Sequence, residues 1–231
     1  EVERGEPNRF GPQVELFGAG TSTEDRIDRF SFSFRGPDLT PTSSLGLRDE
    51  YRASYSRPGL TLYGGDQNYL LTPLTELGRY GFGGGGEVVW GSLTAGGFYN
   101  EARWITPRQR EHAGFLSYGI HPATTLSLNY LGKRGTLVSD IASVRAQAAP
   151  LARMNLDLEV GTSLGDTLRD PGYAARLTDR QSWVAYDVRH VYAGPKFAGY
   201  YRDLTFTSVV ANFFPVRNIR LETAIRQERR N

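Results

Sequence analysis

Apolar and polar residues alternate with a period of two through most of this chain, and a chain so patterned spends its length in β-strands. The clearest runs are Ser31-Phe32-Ser33-Phe34, Leu126-Ser127-Leu128-Asn129-Tyr130, Leu156-Asp157-Leu158-Glu159-Val160 and Ile219-Arg220-Leu221-Glu222. Helical periodicity is nearly absent. Only 70–77 has room for a helical turn, and it carries Pro73. No stretch approaches the roughly 18 apolar residues of a membrane helix, so spanning by helices is excluded.

Turn signals divide the alternation at a steady beat. They fall near Glu24-Asp25, Pro58-Gly59, Gly91-Ser92, His121-Pro122, Pro150-Leu151, Asp179-Arg180 and Pro215-Val216, about 28 to 36 residues apart. That interval fits a pair of ten-residue strands plus one longer connection. The longer connections are expected at Gly132–Ser139, Gly161–Gly172 and Ala193–Tyr200. Seven short turns predict about fourteen strands in an antiparallel up-and-down meander, with short turns on one rim and long loops on the other.

The alternation leaves open which face is wet; barrel width decides it. About eight strands close a barrel that side chains can fill, whereas near fourteen the lumen holds water or a plug. The apolar set (Phe30, Phe32, Phe34, Leu126, Leu128, Leu156, Leu158, Val160, Ile219, Leu221) then faces lipid, and the polar set faces the lumen. The expected lining is Glu101, Arg103, Arg145, Asp157, Glu159, Arg176, Arg220 and Glu222. Trp90, Tyr99, Trp104, Tyr130, Trp183, Tyr192 and Tyr200 are expected in interfacial girdles. The fold class is thus all-β, a transmembrane β-barrel in the bacterial outer membrane. The alternatives are a soluble two-sheet sandwich with the apolar set inward and a propeller, whose blades need about forty residues each.

Composition narrows the function classes. The 27 Lys+Arg against 25 Asp+Glu give a charge of +2, without the concentrated basic patch of a nucleic-acid binder. Cysteine is absent, which excludes a disulfide scaffold or thiolate metal site and fits an oxidising envelope. The histidines His112, His121 and His190 lack ligand spacing, so no metal or other cofactor is expected. Gly81-Phe82-Gly83-Gly84-Gly85-Gly86 matches a dinucleotide fingerprint only formally, because a strand-like Glu87-Val88-Val89-Trp90 follows where a helix is required. Gly161-Thr162-Ser163-Leu164-Gly165, with Asp187 and His190 downstream, has the spelling of a nucleophile elbow but is followed by a loop. Asp157 and Glu159 are spaced for a glycosidase-like pair, yet a charge ladder beside Arg145 and Arg176 accounts for them better. The expectation is a non-enzymatic chain.

The least generic segment runs from Gly64-Gly65-Asp66-Gln67-Asn68-Tyr69 through Pro73-Leu74-Thr75-Glu76 to Gly78-Arg79-Tyr80-Gly81. It resembles the Gly-Asp signature and following Arg-Gly stretch near the start of the barrel in fimbrial ushers and related large outer-membrane proteins. The resemblance covers about twenty residues; elsewhere the chain is similar to outer-membrane barrels in pattern alone. The expected organisation is one barrel domain over 1–231, or part of a larger barrel. It has an N-terminal extension over 1–11 and an irregular glycine-rich insertion over 66–86, in which Asp66, Gln67, Arg79 and Tyr80 form a constriction or binding loop. Outer-membrane barrels usually end in an aromatic residue, whereas this sequence ends Arg229-Arg230-Asn231, which implies a C-terminus further on. The segment Glu1 to Asn8 lacks a signal-peptide core, which implies a mature or excised piece.

The functional expectation is a channel for passive passage of solutes, or a translocation barrel exporting a surface protein or polymer. Its partners are then the lipid bilayer and the solute or exported chain, with no nucleic acid and with self-association left open. The other readings are an anchor or adhesin barrel displaying surface loops, a soluble all-β binding module, and a barrel hydrolase using Ser163 and His190.

Overall fold

A computed structural model describes residues 14–22, 25–36, 49–103, 106–136, 138–165, 169–216 and 219–230. The strands follow the alternation: β1 (Val14–Gly20), β2 (Arg29–Gly36), β3 (Glu50–Arg57), β4 (Leu60–Tyr69), β5 (Arg79–Trp90), β6 (Leu93–Glu101) and β7 (Arg110–His121). The second half holds β8 (Thr124–Arg134), β9 (Ser139–Leu151), β10 (Met154–Ser163), β11 (Pro171–Arg180), β12 (Val184–Ala193), β13 (Leu204–Val216) and β14 (Ile219–Arg229). They form one fourteen-stranded sheet in sequence order, every neighbour antiparallel. A β14–β1 ladder is not among its pairings in the described residues. No helix occurs among those residues.

The two rims differ as the turn beat requires. Pro58-Gly59, Gly91-Ser92 and Pro122-Ala123 each close a two-residue hairpin. Gly59 takes φ +80° after Pro58, the left-handed value that a Pro-Gly turn places on its second central residue and that glycine adopts without strain. Three turns shift by a few residues from their expected places. Leu151, Arg180 and Val216 still pair as the last residues of β9, β11 and β13. Glu24, like residues 1–13, lies outside the described residues. At the other rim the connections are longer: 70–78, 102–109, 135–138, 164–170 and 194–203. Gly132 and Gly161 are strand residues, so the expected long loops begin later than their glycines indicated.

The insertion expected over 66–86 shrinks to 70–78. Asp66 through Tyr69 complete β4, and the glycine run lies inside β5, paired from Tyr63↔Gly85 to Gln67↔Gly81. Its glycines let the backbone of β4 and β6 come close, and Gly85 makes room for the Tyr63 hydroxyl as well. A Cβ at Gly85 would lie 2.7 Å from Phe98 Cβ and 2.8 Å from the Tyr63 hydroxyl. Tyr69 packs on Tyr63 and Phe98 with ring centroids 6.1 and 5.4 Å apart. The helical turn allowed over 70–77 reduces to one Glu76 N–H to Thr72 C=O bond of 3.1 Å.

Candidate functional site

Register divides the side chains between two faces. From Glu159 the cross-strand partners run through Arg145, Ser127 and Ser117 to Thr94. On the other side Asp157 pairs with Arg176, Arg176 with Arg189, Arg189 with Ser208 and Ser208 with Arg226. These residues share the polar face. The opposite face carries Leu116, Leu128, Leu158, Val160, Leu221 and Ile225, all exposed. Burial is therefore inverted relative to a water-soluble protein: Asn100, Glu111, Asn129, Lys133, Ser143 and Glu159 are buried while large apolar side chains are exposed.

The 70–78 connection shows which face is concave. Thr72 Oγ1 donates to Glu159 Oε1 at 2.5 Å and Leu74 N–H to Glu159 Oε2 at 3.2 Å, joining the end of β4 to the middle of β10. On a flat sheet those strands stand six spacings apart, about 29 Å. Three residues beyond Tyr69 extend about 11 Å at most, and two side chains add only a few ångströms. The sheet must curl around its polar face, and the connection crosses the space enclosed.

Three sets of contacts hold that connection. Glu159 Oε1 also accepts from Ser143 Oγ at 2.7 Å, and Thr72 shares a 2.6 Å hydroxyl bond with Thr75. Glu76 meets Lys133 Nζ at 3.1 Å and Arg79 Nη2 at 3.3 Å, while Arg79 Nε lies 2.8 Å from Glu111. Leu74 is buried with Phe197, Tyr69, Phe98, Leu131, Ile141, Val191 and Ala193 in a small apolar cluster on the otherwise polar face. Phe197 belongs to the 194–203 connection, which docks on the first. Tyr200 N–H donates to Leu74 C=O at 3.1 Å and Ala198 N–H to Ser163 Oγ at 2.7 Å. Two long connections thus meet over the concave face and partition it.

Burial alone would push the Glu76 carboxyl up, but Lys133 and Arg79 outweigh it and hold the carboxyl below its ordinary 4.5. A lowered acid contributes its stabilisation above its unfolded pKa and loses it as pH falls through the folded value. Docking of residues 71–77 is therefore expected to be firm at neutral pH and to loosen in acid. Once the intrinsic slowing of amide exchange in acid is divided out, protection of that segment should fall as pH is lowered, and Glu76→Gln should flatten the difference.

Most of the expected lining residues fall on the polar face. Arg145 forms a bidentate pair with Asp157, Arg176 pairs with Asp187 at 2.5 Å, and Arg220 reaches Glu222 at 2.6 Å and Asn212 at 2.7 Å. Two residues depart from expectation. Glu101 pairs with Phe82 on the apolar face, bridged to Arg108 and Arg110 at the long-loop rim. Arg103 leaves the sheet and clips Asp66 at 2.7 Å and Asp49 at 2.6 Å over the Phe82 ring. At a rim the outward face meets headgroups and water, so charge there no longer marks the inner side.

The four residues expected in one loop separate as well. Asp66 accepts from Tyr51 N–H at 2.9 Å beside Arg103. Gln67 lines a cavity of about 770 Å³ with Glu15, Ser31, Arg52 and Ser54 on the polar face of β1–β4. Tyr80 is exposed opposite Asn68, and Arg79 alone joins the docked connection. Glu76, Glu111, Lys133 and Thr72 were missed, the Glu76–Arg79 spacing of i, i+3 being their one local signal.

Trp90 and Trp183 are exposed at the short-turn rim, and Tyr99 and Tyr130 on the apolar face near the other. Tyr192 stacks on Tyr173 there, 5.2 Å apart. Tyr200 instead lies in the 194–203 connection, exposed and edge-on to Tyr201, and Trp104 lies outside the described residues. The elbow-like motif assembles no triad. Ser163 lies on the polar face, taken by Ala198 N–H, whereas His190 pairs with Ala175 on the apolar face and bonds Thr207 Oγ1 at 2.8 Å.

No family model matches the sequence, and no curated protein matches it. Solved structures do. A variant of the Rhodopseudomonas blastica porin aligns over 93% of this chain and 84% of its own, with a TM-score of 0.57 and 11% identity. The fold is that of a bacterial outer-membrane porin barrel. A more heavily substituted variant covers 94% and 86%, with a TM-score of 0.56 and 11% identity. A further match, at 0.55 and 11% over 93% and 84%, is an engineered protein described for asymmetric conductivity.

Proposed function

We propose that this protein is a bacterial outer-membrane channel through which small solutes pass passively, without chemistry on the solute. The observation that carries the reading is the inverted burial: charged and hydroxylated side chains turned inward on a curled sheet, large apolar ones turned out. That arrangement suits lipid outside and water inside. Arg145, Asp157, Glu159, Arg176, Arg220 and Glu222 line the lumen, where paired charges of both signs set a mild electrostatic filter. The 70–78 and 194–203 connections narrow it to one side, leaving the space by β1–β4 as the wider passage. Small solutes are favoured over an exported chain, because a chain would have to displace the buried Leu74–Phe197 contact. Conductance is also a property of a similar engineered protein.

Planar-bilayer recording tests this. The refolded protein should give discrete current steps that grow with salt. Folded protein that inserts and conducts nothing would sink the channel reading in favour of an anchor.

A further inference from the structure

We propose that the lumen holds a binding site for small aromatic carboxylates, centred on Arg189 beneath the docked 70–78 connection. The proposal deepens the channel reading and rests on it for its role in passage. A cavity of about 130 Å³ lies between Pro73 and Leu77 of the connection and the sheet wall, where Arg145, Arg176 and Arg189 converge.

The charges around this cavity are engaged, save one. Asp157 is held by Arg145, and Arg176 by Asp187. Glu159 spends its two oxygens on Thr72, Ser143 and the Leu74 N–H. Arg226, further along the same rung, meets Glu228 at 3.2 Å. Arg189 has no carboxylate within ion-pair reach among the described residues; its polar partner is the neutral Tyr201 hydroxyl at 2.6 Å. It also stands directly opposite Arg176, whose charge Asp187 already balances, so Arg189 is the member of the pair that lacks a counter-charge. A bound carboxylate supplies it, in the bidentate geometry that a guanidinium prefers.

The cavity supplies apolar surface for a planar body on that carboxylate, through Pro73, Leu77, Ala174 and Ala175. The Arg189 guanidinium carbon lies 5.4 Å from the Tyr201 ring centroid and 6.0 Å from that of Phe206, and Arg226 stands 4.9 Å from Phe206 on the other flank. Tyr200 packs edge-on against Tyr201 at 4.9 Å. These rings fix the Arg189 guanidinium, and a ring attached to the anion can pack on the proline, leucine and alanine surface of the cavity while its carboxylate meets Arg189.

The probe is 4-fluorobenzoate, followed by fluorine NMR with the full chain folded in detergent micelles, and electrophoresis confirms the folded fraction of each variant. Saturable line broadening is expected, weakened about tenfold or more in Arg189→Gln, as the loss of a charged hydrogen-bond pair implies. Arg57→Gln, at the short-turn end of β3 and outside the lumen lining, should leave it intact. Inorganic phosphate should compete poorly. No saturable broadening with the unaltered protein, equal affinity in Arg189→Gln, or phosphate binding as tight as 4-fluorobenzoate would each overturn the assignment. Binding through Arg189 by a protein that passes no current would refute the channel and keep the site; current without binding would do the reverse.

Discussion

Leu158→Arg is expected to destabilise the folded protein by about 2–4 kcal/mol, the cost of an arginine on the lipid face near the bilayer midplane. Leu158 sits in the middle of β10, exposed on the apolar face, between two residues whose side chains turn the other way. Gln147→Arg, on the polar face of neighbouring β9, should cost far less, because water and acidic neighbours such as Asp157 surround that position. Urea titrations of the protein folded into vesicles, read by tryptophan fluorescence, check both. A soluble sheet with the apolar set inward would reverse the order.

Replacing 71–77 by a tight turn should raise single-channel conductance several-fold and leave the strands in place. The connection crosses the concave face through Glu159, Lys133 and the Leu74–Phe197 contact, so its removal widens the passage at its narrowest level. β4 and β5 remain paired from Leu60↔Val88 to Tyr69↔Arg79, which keeps the hairpin and its register. Unchanged conductance would mean that solutes travel entirely by the β1–β4 side and that the connections are structural fill.

The strands were legible in the sequence because a period of two admits only one local structure, and the turn beat gave their number. The faces were legible in mid-strand, where Asp157 and Leu158 or Glu222 and Leu221 differ sharply in polarity. They were not legible at the rims, where Glu101 is solvated on either face. The glycine run of β5 reads locally as a break because glycine packs nothing of its own. Its purpose shows only when the backbone of β4 and β6, the Tyr63 hydroxyl and Phe98 close in across the sheet. Leu131, Ile141 and Val191 defeat simple alternation for a related reason. They are apolar residues on the polar face, explained by Leu74 and Phe197 arriving from distant connections. Long-range contacts of this kind leave no periodic trace.

The orientation of the two faces underlies every functional statement above, and a chain without cysteine invites a direct measurement of it. Single substitutions Leu128→Cys, Leu158→Cys and Ile225→Cys on one face, and Gln147→Cys, Thr178→Cys and Glu222→Cys on the other, can each carry a nitroxide in lipid bilayers. The first three should relax with molecular oxygen, which concentrates in lipid, and the second three with a water-soluble nickel chelate. The opposite pattern, or equal access to the nickel chelate at all six, would contradict a barrel with lipid outside and a polar lumen within.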